Sequence, residues 1–338
     1  MLPGCRRPPA CAVDVDADRT MANVTLLLSG SDLSQLLDVT SCLNAIRDGF
    51  TAVSSGIEAQ RVSTALPGPG SATALIPGLV EGIPAYTVKV NAKFPASRPA
   101  LRGVVCLHDI ASGELLALLD SATVTAWRTG LAAAIGTDAM AGSAAGTVAV
   151  IGAGTQAGLV LRGLKALRLV DRLVVCDVDP ARGSSFAAVH AGGRTAVIAA
   201  DAREAARDAD IVIVATWSRV PLLDDGDMGP GAHVTALGAD EPGKTELSAA
   251  LLRSARVIVD DTRLAVTSGA LGTAGLSAGD AAGTLADVLR GTVPGRTSDS
   301  EITIYAPVGL PWQDLALAWT AYQQALRAGI GRHFDFLA

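Results

Sequence analysis

Apolar and polar positions follow two rhythms along this chain, and the rhythm changes near Gly146. Before it, Val24–Leu28 reads as a short strand, Ser31 caps a helix in SDLSQLL, and 39–54 carries apolar residues at helical spacing. Residues 61–77 are rich in Pro, Gly and Ser and read as loop or irregular strand. Segments 86–91, 103–109 and 115–119 have strand character, with Ala111, Ser112 and Gly113 as the turn joining the last two into a hairpin. An Ala-rich helix then runs to about Ala141, with Ser121 or Thr123 as its cap.

After Gly146 strands alternate with helices: strands at 147–152, 173–177, 195–199, 210–216, 233–237 and 257–261, and helices from Gln156, from Pro180, near 202–207 and near 247–252. Strands at this spacing, joined by crossover helices, predict an α/β fold with a parallel, doubly wound sheet. The last segment, 312–331, is helical in period and is expected to fold back on the first part of the chain. Residues 1–20 carry three Asp and no apolar core, which excludes a secretory signal and reads as a disordered extension, with Met21 as an alternative start. The uncharged run 139–161 is long enough to span a bilayer, but Gly152, Ala153 and Gly154 break it, so strand, turn and helix is the better reading.

Composition narrows the function. Of 338 residues, 49% are apolar and 18% charged, enough for a sizeable core, and at roughly 100–200 residues per domain the length suggests two domains. The net charge of −6 comes without any block of like charge, so neither nucleic acid nor a membrane surface is an expected partner. Five cysteines and four histidines are scattered with no CxxC spacing, which excludes a disulfide scaffold and a zinc site; no metal is expected, and a reducing cytoplasm is.

TVAVIGAGTQAGLVLRGL carries the main local motif, Gly152-x-Gly154-x-x-Ala157. Gly152 permits the tight turn, Gly154 lets backbone approach a pyrophosphate, and Ala157 lets helix and strand pack closely. Asp177 ends the next strand, where a carboxylate accepts hydrogen bonds from the adenosine ribose and repels a 2′-phosphate. NAD is therefore expected, with NADP open because Arg182, five residues on, can meet a 2′-phosphate or be a solvated helix arginine.

Four lysines stand against 23 arginines, so a lysine inside an apolar strand is informative. Lys89 in AYTVKVNAKFP shares a strand face with Thr87 and Asn91, either as an edge charge or as a cation or proton donor facing substrate. In ALGADEPGKTEL, Asp240 lies just beyond a strand's carboxyl end, where open α/β sheets bind ligands; it is a candidate acid/base or ammonium partner, beside Lys244 and Glu246. Arg128 sits in the Ala-rich helix and must meet an anion if buried; a substrate carboxylate suits it, with Arg61 as a second candidate. Trp127, beside it, either walls the site or fills the core.

Taken in order, Arg61 before LIPG, KVNAKFP, GVVCLHDIASGELLALLD, TAWRTG, VIGAGTQA, ALGADEPGKTEL and GRTSDSEITIYAPVGLPWQD make the chain resemble the ornithine cyclodeaminase/mu-crystallin family from about Val24 to Arg332. The resemblance implies a Rossmann dinucleotide-binding domain at 136–311. It implies a second, α+β domain for substrate and dimerisation at 21–135, completed by the C-terminal helix in 312–338. It implies a homodimer, a carboxylate held by Arg61 and Arg128 with Lys244 near the substrate, and Lys89 and Asp240 as catalytic residues. Thr129, Thr155, Gln156 and Val308 join the glycine turn, Asp177 and Arg182 in the expected cofactor set.

Family members include ornithine and lysine cyclodeaminases, alanine dehydrogenases and reductases of cyclic ketimines. Two departures bear on the choice. Ala74 stands where the cyclodeaminases carry a glutamate suited to a distal ammonium, and YAPVG replaces their FDSVG-like motif, so the contacts there differ. The expectation is therefore reduction of 1-pyrroline-2-carboxylate or 1-piperideine-2-carboxylate to proline or pipecolate. The alternatives are a cyclodeaminase using NAD catalytically, an alanine-type dehydrogenase, or a binding protein without chemistry.

Overall fold

The computed structural model describes residues 24–52, 60–68, 70–94, 96–97, 99–241 and 243–336, so the extension expected at 1–20 and the alternative start at Met21 lie outside the described residues. Two large sheets organise the chain. The first contains β1 (Val24–Leu28), β2 (Gln60–Ala65), β3 (Ser71–Gly78), β4 (Ala85–Lys93), β5 (Leu101–Asp109) and β6 (Leu115–Asp120). The second contains β7 (Thr147–Ile151), β8 (Arg172–Cys176), β9 (Thr195–Ile198), β10 (Ile211–Val214), β12 (His233–Ala236), β14 (Arg256–Val259), β15 (Gly283–Thr284) and β16 (Thr303–Tyr305), while β11 (Arg219–Leu223) and β13 (Thr245–Leu247) pair separately. The last strand, β17 (Arg332–Asp335), returns to the first sheet, whose order is β17-β1-β6-β5-β4-β3-β2.

All pairings in the second sheet are parallel, in the order β15-β14-β16-β12-β10-β7-β8-β9. Both of its faces are buried: Ala149 and Ile151 of β7 join one apolar cluster, Val148 and Val150 the other. That is the environment in which parallel strands read as continuous apolar runs. Structure and sequence agree on this α/β architecture.

The first half departs from the sequence reading in places. Of the two readings of 61–77, strand holds for most of it: β2 and β3 form an antiparallel ladder from Gln60↔Ile76 to Ala65↔Ser71, joined through 66–70. Nearly all of β2 is exposed, so it lacks the apolar alternation that marks a half-buried strand. The first helix (Gly30–Leu36) is capped by Ser29, not Ser31, and the Ala-rich helix (Ser121–Met140) by Asp120, whose carboxylate accepts the Thr123 N–H at 2.8 Å. The C-terminal helix ends at Ala328, where Gly329 adopts a left-handed φ of +64°, and β17 follows.

The Ser121–Met140 helix connects the two sheets. Fourteen of its 20 residues are buried, which explains why it carries no polar stripe. It packs on the helix Thr155–Leu167 through glycines on both sides: a Cβ on Gly130 would lie 2.4 Å from Leu159 Cβ, and one on Gly163 would lie 2.7 Å from Ala134 Cβ. Its far end is tied to the second sheet by a buried chain of hydroxyls, in which Thr137 and Thr235 bond at 2.7 Å and Thr235 meets His233 at 2.9 Å. His233 also meets Thr303 at 2.9 Å; burial pushes its imidazole down to about 3, so it stays neutral. Tyr305 of β16 and Ile258 of β14 belong to the same apolar cluster as β1, β5 and β6, so the two sheets share one core.

Gly130→Leu is expected to cost about 1–3 kcal/mol by overpacking this helix pair, read as a lower urea midpoint. An unchanged midpoint would show that the close approach is not needed.

Candidate active site

Strand register places a row of polar side chains on one face of the first sheet. Arg61 of β2 is opposite Leu75 of β3, which is opposite Lys89 of β4; Ser63, Thr73 and Asn91 form the next row, and Ser71 and Lys93 the next. Directly paired residues share a face. The C-terminal helix (Pro311–Ala328) lies against β3, β4 and β5 and supplies Asp314. Its start is set by Trp312, packed edge-on against Phe50 at 4.9 Å.

Lys89 and Asp314 are both 1% exposed, and Lys89 Nζ is 2.6 Å from Asp314 Oδ2. Lys89 also donates to Thr125 Oγ1 at 3.3 Å, which Asn91 Nδ2 approaches at 3.5 Å. Arg128 Nε lies 3.4 Å from the other Asp314 oxygen, and its Nη1 donates to Gln313 Oε1 at 3.3 Å. Gly309, at φ +99°, leaves room for that guanidinium: a Cβ there would lie 2.0 Å from Arg128 Nη1. Two buried cations thus share one carboxylate. Burial pushes the Lys89 ammonium down to about 7; Asp314 opposes the shift, while Arg128 and Arg61 add to it.

The carboxyl ends of the second sheet close over this face. Beyond β12, Asp240 pairs with Lys93 at 2.9 Å through one oxygen and with Lys244 at 2.9 Å through the other. Burial raises its carboxyl, but Lys93, Lys244 and Arg61 outweigh that and hold it well below the usual carboxylate range. Glu241 reaches both lysines, at 3.2 and 3.4 Å. Arg61 reaches across from the first sheet, donating to the Asp240 carbonyl at 2.7 Å and the Val308 carbonyl at 3.2 Å. Asp260, just past β14, accepts the Val308 N–H at 3.0 Å and the Gly309 N–H at 2.5 Å.

Glu246 fixes the loop that carries Asp240. It accepts the Thr216 N–H, the Thr216 hydroxyl and the Gly238 N–H, each at 2.7 Å, and burial pushes its carboxyl up to about 7. Outside it, Lys244 lies 4.2 Å over the exposed Trp217 ring.

The glycine turn has the shape a pyrophosphate needs. Gly152 takes φ +94°, and a Cβ on it would lie 2.5 Å from the Ala215 carbonyl. A Cβ on Gly154 would meet nothing within 4 Å, and the helix that starts at Thr155 has no side-chain cap, leaving its first N–H groups for a ligand. Thr155 is exposed, Gln156 half-buried and Ala157 buried. Gly130 packs against the Gln156 carbonyl and Val160, which sets its neighbour Thr129, half-buried, beside this helix start.

Asp177, past the end of β8, accepts the Ala153 N–H at 2.7 Å and is gripped by Arg182. Arg182 is thus neither free in solvent nor separate from Asp177.

Arg61, Lys89, Arg128, Asp240 and Lys244 therefore meet in one network, together with the cofactor candidate Val308. Trp127 does not wall it: the ring is 7% exposed, sits in the core and carries the Arg162 guanidinium 5.0 Å above it. Ala74 pairs with Val62 and Val90, on the sheet face opposite Arg61 and Lys89, so a missing carboxylate there does not alter the network's own face. The sequence reading passed over Lys93, although it shares strand parity with Lys89 and Asn91. Asp314 falls within the GLPWQD stretch of the family resemblance but is not among the expected site residues, and neither are Asp260 and Gln313.

The sequence model of the ornithine cyclodeaminase/mu-crystallin family matches residues 23–329. The chain belongs to that family. It is 31% identical to the Δ1-pyrroline-2-carboxylate reductase of Bacillus cereus, over 78% of this chain and 85% of that one. Two solved structures superpose over nearly the whole chain. One is an archaeal alanine dehydrogenase dimer with bound NAD (TM-score 0.87, 29% identity, 93% of this chain and 100% of that one). The other is the Thermococcus litoralis Δ1-pyrroline-2-carboxylate reductase with NADH and L-proline (TM-score 0.86, 27% identity, 91% and 99%).

With a proton affinity near 7, Lys89 is mostly neutral near pH 8. An anion placed beside it and Arg128 raises that affinity, so binding of pyrrole-2-carboxylate is expected to take up about one proton per site. Titration calorimetry in buffers of different ionisation heat reads this uptake, and Lys89→Met should abolish it. Buffer-independent heats in the wild type would contradict the assignment.

Proposed function

We propose that the protein is an NAD(P)-dependent imino-acid reductase acting at the α C–N bond of a small carboxylate, with a cyclic ketimine such as 1-pyrroline-2-carboxylate or 1-piperideine-2-carboxylate as substrate. The observation that carries the reading is the buried Lys89–Asp314–Arg128 cluster, which carries two cations against one carboxylate beneath the Asp240 loop. A cluster with that charge excess accepts a carboxylate at lower desolvation cost than a neutral pocket would. Arg128 offers a planar fork, and Arg61, already bridging both sheets, is the second arm.

The bound dinucleotide supplies the hydride. The protein supplies orientation and proton control. Asp240, ionised between Lys93 and Lys244, suits a protonated ring nitrogen: its negative charge stabilises the iminium, and that protonation makes the C=N carbon electrophilic. Held ionised in both directions, Asp240 acts through its charge on the nitrogen, and Lys89 is the group suited to the amine proton. Lys89, close to neutrality in its proton affinity, can give or take a proton at physiological pH. Gly152, Gly154, Thr155, Gln156 and Ala157 would cradle the pyrophosphate, with Asp177 and Arg182 at the adenosine ribose and Thr129 and Val308 toward the rest of the cofactor. Lys244 would hold Asp240 and line the substrate side.

The domain division follows the same reading: 136–311 binds the dinucleotide, and 21–135 with 312–338 holds substrate and the dimer contact. Val62 and Val90 are 54% and 48% exposed and flank Ala74 on the sheet face away from the site. A second copy covering that apolar face makes a homodimer. Among the described residues no helix is long and apolar enough to cross a membrane, and we place the enzyme in the cytoplasm, where the dinucleotide pool and small imino acids meet.

The test is loss of absorbance at 340 nm when NADH or NADPH is offered with each ketimine, run beside an ammonia assay with ornithine or lysine plus catalytic NAD+. Stoichiometric cofactor oxidation is expected. Ammonia release without net cofactor change would replace this reading with a cyclodeaminase. Asp240→Asn is expected to lower kcat/KM by about 10²-fold or more; full activity in that variant would remove Asp240 from the chemistry.

A further inference from the structure

The pair at the end of β8 bears on which dinucleotide the site takes, an inference that rests on the proposed cofactor reading. An ionised carboxylate has about four acceptor positions on its two oxygens. In Asp177 all of them are used. Oδ1 accepts the Asp179 N–H at 2.8 Å and Arg182 Nη2 at 2.5 Å; Oδ2 accepts the Ala153 N–H at 2.7 Å and Arg182 Nε at 3.1 Å. The carboxylate is nearly covered, with its side chain 4% exposed, whereas Arg182 remains 43% exposed.

A bare acid at this position discriminates against a 2′-phosphate in two ways: it repels the added charge, and it binds the ribose hydroxyls that the phosphate replaces. Both actions are blunted here. The guanidinium neutralises Asp177 in a two-point grip and occupies the acceptor positions that the ribose diol would use. Only part of the Arg182 donor fork is spent on Asp177, and the rest faces outward from an exposed side chain at the first turn of the helix Pro180–His190. Two ligand arrangements are then open to one pair of residues. With NAD, Arg182 swings out and Asp177 receives the ribose hydroxyls. With NADP, Arg182 stays and meets the 2′-phosphate.

The surroundings set the balance. Asp201 and Glu204 lie close enough to act on the Cys176 thiol next to Asp177, and Val178 is 97% exposed and brings no charge. One cation among several carboxylates gives tolerance of NADP rather than a preference for it. We propose that Arg182 is the specificity-determining residue of the ribose subsite, masking Asp177 so that the enzyme accepts both NAD(H) and NADP(H).

Equilibrium binding tests this without turnover. Calorimetric titrations would use the full chain with NAD+, NADP+, 5′-AMP and 2′,5′-ADP, in the wild type, Arg182→Ala and Arg182→Lys. The wild type is expected to bind NADP+ within about tenfold of NAD+. In Arg182→Ala, NADP+ and 2′,5′-ADP should weaken by about tenfold or more, while NAD+ and 5′-AMP, no longer competing with the guanidinium for Asp177, should bind more tightly than in the wild type. Arg182→Lys should recover part of the NADP+ affinity through charge alone. Equal weakening of all four ligands, or no change in any, would overturn the role of Arg182. So would a wild type that binds NADP+ about a thousandfold more weakly than NAD+. If the wild type binds neither dinucleotide, the cofactor reading itself falls, and this inference with it.

Discussion

Asp314 holds two buried cations, and the junction of the first sheet with the Ser121–Met140 and C-terminal helices depends on that arrangement. Lys89 and Arg128 approach opposite oxygens of its carboxylate, at 2.6 and 3.4 Å, on side chains with almost no solvent. Charges this deep are costly unless paired, and one carboxylate against two cations is an incomplete pairing. The three residues come from three elements: a strand of the first sheet, the helix that links the sheets, and the C-terminal helix. Seating the C-terminal helix on β3 to β5 therefore assembles the fold and this charged cluster together.

A second electrostatic group sits above the first, with two carboxylates among three cations. Asp240 and Glu241 share Lys93 and Lys244, and Arg61 adds a third cation, bound to the Asp240 carbonyl and 3.9 Å from its carboxylate. Glu246 and Asp260 are buried carboxylates that spend their lone pairs on backbone N–H groups of the loops carrying Asp240 and Val308. Such fully satisfied carboxylates make rigid loop anchors, and rigidity is what a site acting through alignment needs. Where the two sheets meet, Asp240 and Glu241 from the second lie against Lys93 and Arg61 from the first.

Much of this was legible in the residues. The strand–turn–helix glycine motif, the alternation of strands and helices after Gly146 and the hairpin at 111–113 depend on local geometry, so local spacing revealed them. Lys89, Arg128 and Asp240 stood out because each is a charge in an apolar setting or at a strand end. What escaped was of a different kind. β2 hides because its residues are nearly all exposed and carry no alternation. Lys93 and Asp314 are recognisable as partners only once β4, the Asp240 loop and the last helix are superimposed. The face that Ala74 takes is a matter of register, since a one-residue step along a strand puts a side chain on the other face.

The sequence by itself determined the parallel α/β half, the dinucleotide turn and the family to which the chain belongs, because these are written in short-range spacing and ordered motifs. Tertiary structure decided which charges share a pocket, which oxygens remain for a ligand, and that Arg182 grips Asp177 instead of lying in solvent. Those outcomes depend on distances between residues as far apart as Arg61 and Val308, and such distances exist only after the two sheets have closed on one core.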